Sequence, residues 1–149
     1  HSGICIKEHQ DLFILICYDE EIKEYDGYTI LRNDEVEKFK IWDEEEITTI
    51  ENNNFSEFLN KLPLDKMNSF FDSLTVLKEM DLVTVFIEDD EDTYLVGKLL
   101  SVKEKYIEMK LLNESGEWWG MEKINIDDIA YIGFGSSYEN ELIKKATRE

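Results

Sequence analysis

The sequence predicts a mainly β chain with helices: two small five-stranded β-barrels joined by a two-helix segment and followed by a C-terminal helix. Three observations predict it. Short runs of β-branched and aromatic residues, bounded by Asp, Asn, Gly and Ser, fill residues 3–42 and again 82–134. Apolar residues fall at helical spacing only between these blocks and after them. The second block repeats the order of the first, which divides the chain into a first barrel (1–42), an acidic linker with two helices (43–80) and a second barrel with its helix (81–149).

In the first block Ile4-Cys5-Ile6 opens one strand, and Leu12 to Tyr18 is a near-continuous apolar run of the kind covered on both faces. Glu21–Tyr25 and Tyr28–Asn33 flank Asp26-Gly27, a hairpin signal because a type I′ turn needs positive φ. Val36 to Ile41 alternates and makes the fifth strand. The acid run Asp43–Glu46 and the tract Asn52–Asn54 read as linker. Phe55, Phe58, Leu59 and Leu62 then fall at helical spacing before Pro63. Met67, Phe70, Phe71, Leu74 and Leu77 make one apolar stripe of a second helix from about Asp65 to Glu79.

In the second block the expected strands are Leu82–Glu88, Tyr94–Lys103 with a bend at Gly97, Lys105–Leu112, Trp118–Ile126 and Ala130–Phe134. Glu88–Asp92 is a loop, Asn113–Gly116 a hairpin turn and Asp127-Asp128 a corner. Ser136-x-x-Glu139 reads as a capping box, and Lys144, Lys145 and Arg148 suit the C-terminal end of the helix it starts. That helix is expected to lie as a lid on one barrel.

Composition limits the partners. The 149 residues are 42% hydrophobic, enough for a core without staples. Asp and Glu number 35 against 16 Lys and Arg, a net charge of −19. Residues 1–50 hold 14 acids against 5 bases and residues 81–149 hold 16 against 8, so the excess is not a tail. Such a field repels phosphate backbones and anionic lipid and favours a basic partner. Cys5 and Cys17 sit in apolar runs, as buried free thiols do, and a reducing cytoplasm is the expected compartment. No N-terminal stretch reads as a signal peptide, and no apolar run approaches the roughly 18 residues of a membrane span.

The two blocks align without a gap, Phe13-x-Leu15-x-x-Tyr18-Asp19-x-x-Ile22 against Gly97-x-Leu99-x-x-Val102-Lys103-x-x-Tyr106. Further on, Asn33–Phe39 meets Ile126–Ile132. At these residues the chain resembles the Sm/LSm family of small, SH3-like β-barrels. Leu15-x-x-Tyr18-Asp19-x-x-Ile22 follows that family's first motif, with Phe13 at its glycine and Lys23 at its asparagine. Leu31-Arg32-Asn33-Asp34-Glu35-Val36 follows its second motif without the glycine. The second block keeps Gly97 but has Lys103 and Ile107 at the aspartate and asparagine positions, and Ile124–Ile129 lacks both arginine and glycine. The resemblance implies RNA binding by a ring of subunits. Carried over by position, the contacts fall on Asp19, Lys23, Arg32 and Asn33. Such a site would show as an electropositive island at Lys23, Arg32, Lys38 and Lys40. The alternative for Arg32 is an ion pair with Asp19 or Asp34.

Other chemistry is not expected. His9 is the one histidine away from the chain start and has no Gly-x-Ser-x-Gly elbow beside it, so no nucleophile triad is built. Cys5, His9 and Cys17 lack zinc spacing, Glu88–Asp92 lacks the EF-hand frame, and no glycine loop cradles phosphate. No cofactor is implied. Trp118 and Trp119, being consecutive in a strand, are expected on opposite faces. An exposed Trp beside Tyr94, Tyr131 or Tyr138 would make an aromatic patch suited to protein binding. The expected function is therefore non-catalytic binding of a basic protein partner, for example as an inhibitor or immunity-type protein. RNA binding through the first barrel is the alternative, and the chain is a monomer or a dimer.

Overall fold

The computed structural model describes residues 2–41, 58, 61–87 and 93–147. Strands take up 51% of them, in keeping with a mainly β chain with helices. The strands are β1 (Ser2–His9), β2 (Leu12–Asp19), β3 (Glu24–Arg32), β4 (Lys40–Ile41), β5 (Val83–Ile87), β6 (Tyr94–Val102), β7 (Tyr106–Leu112), β8 (Trp118–Asn125) and β9 (Ile129–Phe134). Two α-helices are described in full, α1 (Phe70–Leu77) and α2 (Ser137–Thr147). All nine strands lie in one sheet of order β4-β1-β2-β3-β9-β5-β6-β7-β8, which is not closed. None of the helices among the described residues is long and apolar enough to cross a membrane.

The last strand in sequence is the middle strand in space. β9 pairs antiparallel with β3 on one side and β5 on the other, so that Ile30, Ile132 and Val85 share one rung and Leu31, Tyr131 and Phe86 the next. Successive side chains on a strand point to opposite faces, so the two rungs serve different faces of the sheet. Ile30, Ile132 and Val85 enter the main core with Ile14, Ile16, Leu99, Ile107 and Met109, and this core runs through both halves of the sheet. Leu31 and Tyr131 belong to a smaller cluster with Leu15, Phe39 and Ala130 on the opposite face.

Helix α1 covers the main core. Ser69 caps it, with Oγ accepting from the Asp72 amide, and the Phe70 amide donates to Asp11 Oδ1 in the β1–β2 turn. Phe70, Leu74 and Leu77 recur at helical spacing and are buried, with Met67 ahead of them. Phe71, expected in the same stripe, is 41% exposed. It lies about 100° around the helix from Phe70, off the buried arc. The helix is also shorter than expected, because Leu64–Lys66 forms a separate 3-10 turn.

Among its described residues the first half has four strands and not five. Asp26-Gly27 does not turn the chain; β3 runs straight through it. Ile16 pairs with Tyr28 and Tyr18 with Tyr25, so Asp26 and Gly27 together oppose Cys17 in a β-bulge. Gly27 supplies the positive φ (+83°) that the bulge needs, and an added Cβ there would lie 2.8 Å from that of Ser136. The real turn is Glu20–Lys23, closed by Asp19 Oδ1 accepting from the Glu21 amide at 3.0 Å and by Lys23 at φ 56°. Val36–Ile41 was expected as a strand, yet Asn33–Lys38 is a 3-10 helix and only Lys40–Ile41 pairs, in parallel with β1. Val36 and Phe39 stand three residues apart, the repeat of a 3-10 helix, and both pack into the smaller cluster.

The second half follows the expected strand order. Gly97 lets β6 and β7 approach: a Cβ on it would stand 2.0 Å from the Lys110 carbonyl oxygen. Asn113 Oδ1 accepts from the Ser115 and Glu117 amides to hold the β7–β8 turn. Helix α2 closes over this half, with Leu142, Ile143 and Ala146 against Leu82, Val96, Leu112 and Trp118. The expected acidic linker, most of the helix at 55–62 and the loop 88–92 lie outside the described residues. Phe58 is helical, and its carbonyl accepts from the Tyr28 hydroxyl at 2.6 Å.

Gly97→Ala is expected to lower the unfolding free energy by about 1–3 kcal/mol, the usual cost of forcing a group into filled space. Gly120→Ala, where an added Cβ meets nothing within 4 Å, is expected to leave the urea midpoint almost unchanged. Equal midpoints for the two variants would refute the close approach at Gly97.

Candidate functional site

The middle of the sheet carries a hollow. On β3, β9 and β5 the residues Thr29, Gly133 and Thr84 stand in one rung, two positions from Leu31, Tyr131 and Phe86 and therefore on the same face. Three small residues beside a rung with two stacked aromatic rings leave a step in the surface. Phe86 and Tyr131 stack at 4.4 Å between centroids, and Tyr94 lies 5.8 Å from Phe86. The first turn of α2 bounds the hollow, leaving a cavity of about 240 Å³.

The capping box of α2 is thereby also a wall of the cavity. Glu139 is 6% exposed. Its Oε1 accepts from the Ser136 amide and hydroxyl, and its Oε2 from Thr84 Oγ1 at 3.1 Å. Asp26, displaced by the β3 bulge, accepts from the Ser137 amide at 2.8 Å and from its hydroxyl at 2.9 Å. Cys17, opposite the bulge, places Sγ 3.0 Å from Thr29 Oγ1. Burial pushes its thiol up to about 11, against the hydrogen bond from Thr29 and with help from the Asp26 and Glu139 charges. Burial also pushes the Tyr28 phenol up to about 12.

Beside this cavity runs an open groove of about 420 Å³ lined by Tyr94, Val96, Leu112, Trp119 and Tyr138. Tyr94 and Tyr138 line both. Burial, followed by the charges and hydrogen bond around it, raises the Tyr138 phenol. Trp119 is 61% exposed, with Tyr94 and Tyr138 each more than two-fifths exposed. The β7–β8 register slips between Leu111 and Leu112, which leaves Trp119 as the extra residue of a bulge. Strict alternation of Trp118 and Trp119 is broken there. Trp118 packs against the α2 cluster with its ring under Lys110 at 4.8 Å, while Trp119 stays open.

Of the five aromatic residues expected in a binding patch, the structure brings Tyr94, Trp119 and Tyr138 together. Trp118 is half-buried against the α2 cluster. Tyr131 is buried, because it sits on the central strand between Phe39 and Phe86.

The residues expected to hold RNA are not brought together. Asp19 pairs with Glu24 beside the turn containing Lys23, whereas Arg32 pairs with Leu12 at the far end of the same hairpin. Seven residues of strand separate the two ends, about 23 Å. The Arg32 guanidinium donates to the Ile129 and Asp127 carbonyls, stands 3.8 Å from the Asp127 carboxylate and lies 5.1 Å from the centre of the Phe70 ring. Its ion-pair partner is thus Asp127 and not Asp19 or Asp34, because β9 brings the corner before it against β3. Asn33 opens the 3-10 helix. Two further members of the expected basic island stand against acids, Lys38 with Glu35 at 2.6 Å and Lys40 with Glu20 at 3.8 Å.

Cys5 and Cys17 are free, and no group of three potential metal ligands occurs among the described residues. Sequence reasoning missed the cavity. Thr29, Thr84 and Gly133 carry no signal of their own, and Glu139 reads only as a helix cap. No family model, curated protein or solved structure matches this chain.

Cys17 provides a probe of the cavity. With a thiol near 11, about one molecule in a thousand is thiolate at pH 8. Its alkylation by iodoacetamide, followed by mass spectrometry, is expected to accelerate about tenfold per pH unit between pH 8 and 10. Thr29→Val, which removes the hydrogen bond to the sulfur, is expected to slow it further. A rate that levels off near pH 9 would contradict the burial.

Proposed function

We propose that this chain is a non-catalytic, strongly acidic binding protein that takes a basic protein partner on the groove of Tyr94, Trp119 and Tyr138. The observation that carries the reading is the exposure of these three aromatic side chains side by side on a protein of net charge −19. Aromatic residues that can be desolvated at the centre of a contact supply much of its affinity, and a surrounding field of opposite sign steers the encounter. An inhibitor that covers the basic site of an enzyme is one form such a protein would take.

The same proposal treats the two halves as divergent copies of an Sm-like or SH3-like unit. In support, each half has an acidic 3-10 corner, Asn33–Lys38 or Ile126–Asp128, followed by a strand that returns to the first strand of its own half, although β4 pairs with β1 in parallel and β9 with β5 antiparallel. RNA binding receives no comparable support, since the Arg32 guanidinium is taken up by Asp127, Ile129 and Phe70.

Titration calorimetry with an oligolysine peptide and with oligo-U tests the reading. The peptide is expected to bind, to weaken as salt is raised, and to lose about tenfold in affinity with Trp119→Ala, the scale of a contact hot spot. Oligo-U is expected not to bind even at low salt, where phosphate attraction is greatest. Binding of oligo-U that disappears with Arg32→Ala would overturn the proposal.

A further inference from the structure

We propose that the cavity over Thr29, Gly133 and Thr84 is a binding site for an organic ammonium group, carried by a free alkylamine or by the tip of a lysine side chain. The site is separate from the open groove, although Tyr94 and Tyr138 border both. It does not depend on the groove binding a protein.

Charge is the first argument. The cavity wall contains two carboxylates, Asp26 and Glu139, and its described lining includes no Lys, Arg or His. Glu139 is 6% exposed, and its hydrogen bonds come from hydroxyls and an amide. No ion pair is formed by either acid among the described residues. A carboxylate placed this deep is poorly solvated and its hydrogen-bond partners are all neutral, so a cation beside it would offset that cost. The same field repels a phosphate or carboxylate ligand.

Shape and surface chemistry select among cations. Aromatic residues make up much of the remaining lining, among them the stacked pair Phe86 and Tyr131 together with Tyr94 and Tyr138. Ring faces attract alkylammonium and guanidinium groups, which are weakly enough hydrated to leave water, and apolar walls suit the attached chain. A hydrated metal ion gains little from such a lining. The volume of about 240 Å³ falls below the range of roughly 300–1,000 Å³ that drug-sized ligands occupy. It suits a single aliphatic arm, which is the size of a lysine side chain.

The floor is the element that can be altered without rebuilding the site. An added Cβ at Gly133 would meet its nearest neighbours, the Tyr28 carbonyl oxygen and Phe86 Cε2, at 3.8 and 3.9 Å, an ordinary contact distance. Its backbone has no positive φ. A Cβ is therefore accommodated there, and the two methyl groups of a valine would compete with a ligand for the space that Gly133 lines.

The test is an amide chemical-shift titration of the whole chain with n-butylammonium and, in parallel, with n-butanol as the uncharged control of the same length. Saturable shifts confined to the neighbourhood of Thr29, Thr84 and Gly133 are expected with the amine, at an affinity at least tenfold above that of the alcohol. Gly133→Val is expected to abolish them and Glu139→Gln to weaken them about tenfold. Trp119→Ala is expected to leave them unchanged, which separates this site from the groove. A third titration with a short peptide containing one lysine identifies the source. Tighter binding than butylammonium points to a partner's side chain, and weaker binding to a free amine. Equal binding of amine and alcohol, or amine binding that Glu139→Gln leaves intact, would overturn the proposal, as would the absence of shifts at the three floor residues.

Discussion

The structure depends on β9 being paired on both edges. Four of the described strands lie on each side of it, and the hydrogen-bonded pairing that joins them into one sheet runs through its six residues. Ile132 and Phe134 are fully buried within the main core, so the strand contributes apolar area as well as hydrogen bonds. It also closes the largest separation in the sheet, since Tyr28–Leu31 meet Tyr131–Phe134 about a hundred residues later. Pairings of such long range carry the entropy of closing the intervening chain before they return any contact. The strand that holds the sheet together is thus the ninth of the described strands in sequence.

Placing β9 in the middle determines what surrounds the cavity. Because β3 and β5 flank it in register, Thr29 and Thr84 meet at Gly133, and because the chain continues directly from Phe134 into α2, the helix start falls over that rung. The bulge of β3 completes the arrangement by bringing Asp26 to the Ser137 amide and hydroxyl. Capping, bulge and cavity are consequences of one pairing. A shift of β9 by one residue would send Tyr131 and Gly133 to the core face and Ile132 out of it.

What could be read from the sequence was local. The β7–β8 turn and the α2 cap were readable because their side chains bond within four residues, as Asn113 does with Ser115 and Glu117 and Glu139 with Ser136. Asp26-Gly27 misled because positive φ serves a bulge as well as a turn, and only the partner strand decides between them. The groove aromatics Tyr94, Trp119 and Tyr138 could be recognised by type. Alternation states which face a residue takes but not which strand lies beside it, so it could not separate buried Tyr131 from them. The same limit hid the cavity, whose floor joins positions 29, 84 and 133 only through register, and hid Asp127 as the partner of Arg32.

The acidic excess does little for stability. The ion pairs Lys40–Glu20 and Lys144–Glu141 are exposed at both partners, a class of pair that contributes little, while the remaining like charges repel one another in the compact state. Its effect lies at the surface and is clearest along the outer edge of the sheet. Among the described residues β4 offers an edge of two residues, but β8 offers eight, with Trp119 and Met121 exposed on it. A flat apolar edge of that length would recruit other strands. Glu122 and Lys123 charge this one, and the extra residue at Trp119 breaks its regular spacing just where the large ring is displayed. The bulge thus leaves a tryptophan exposed without presenting a regular strand for pairing.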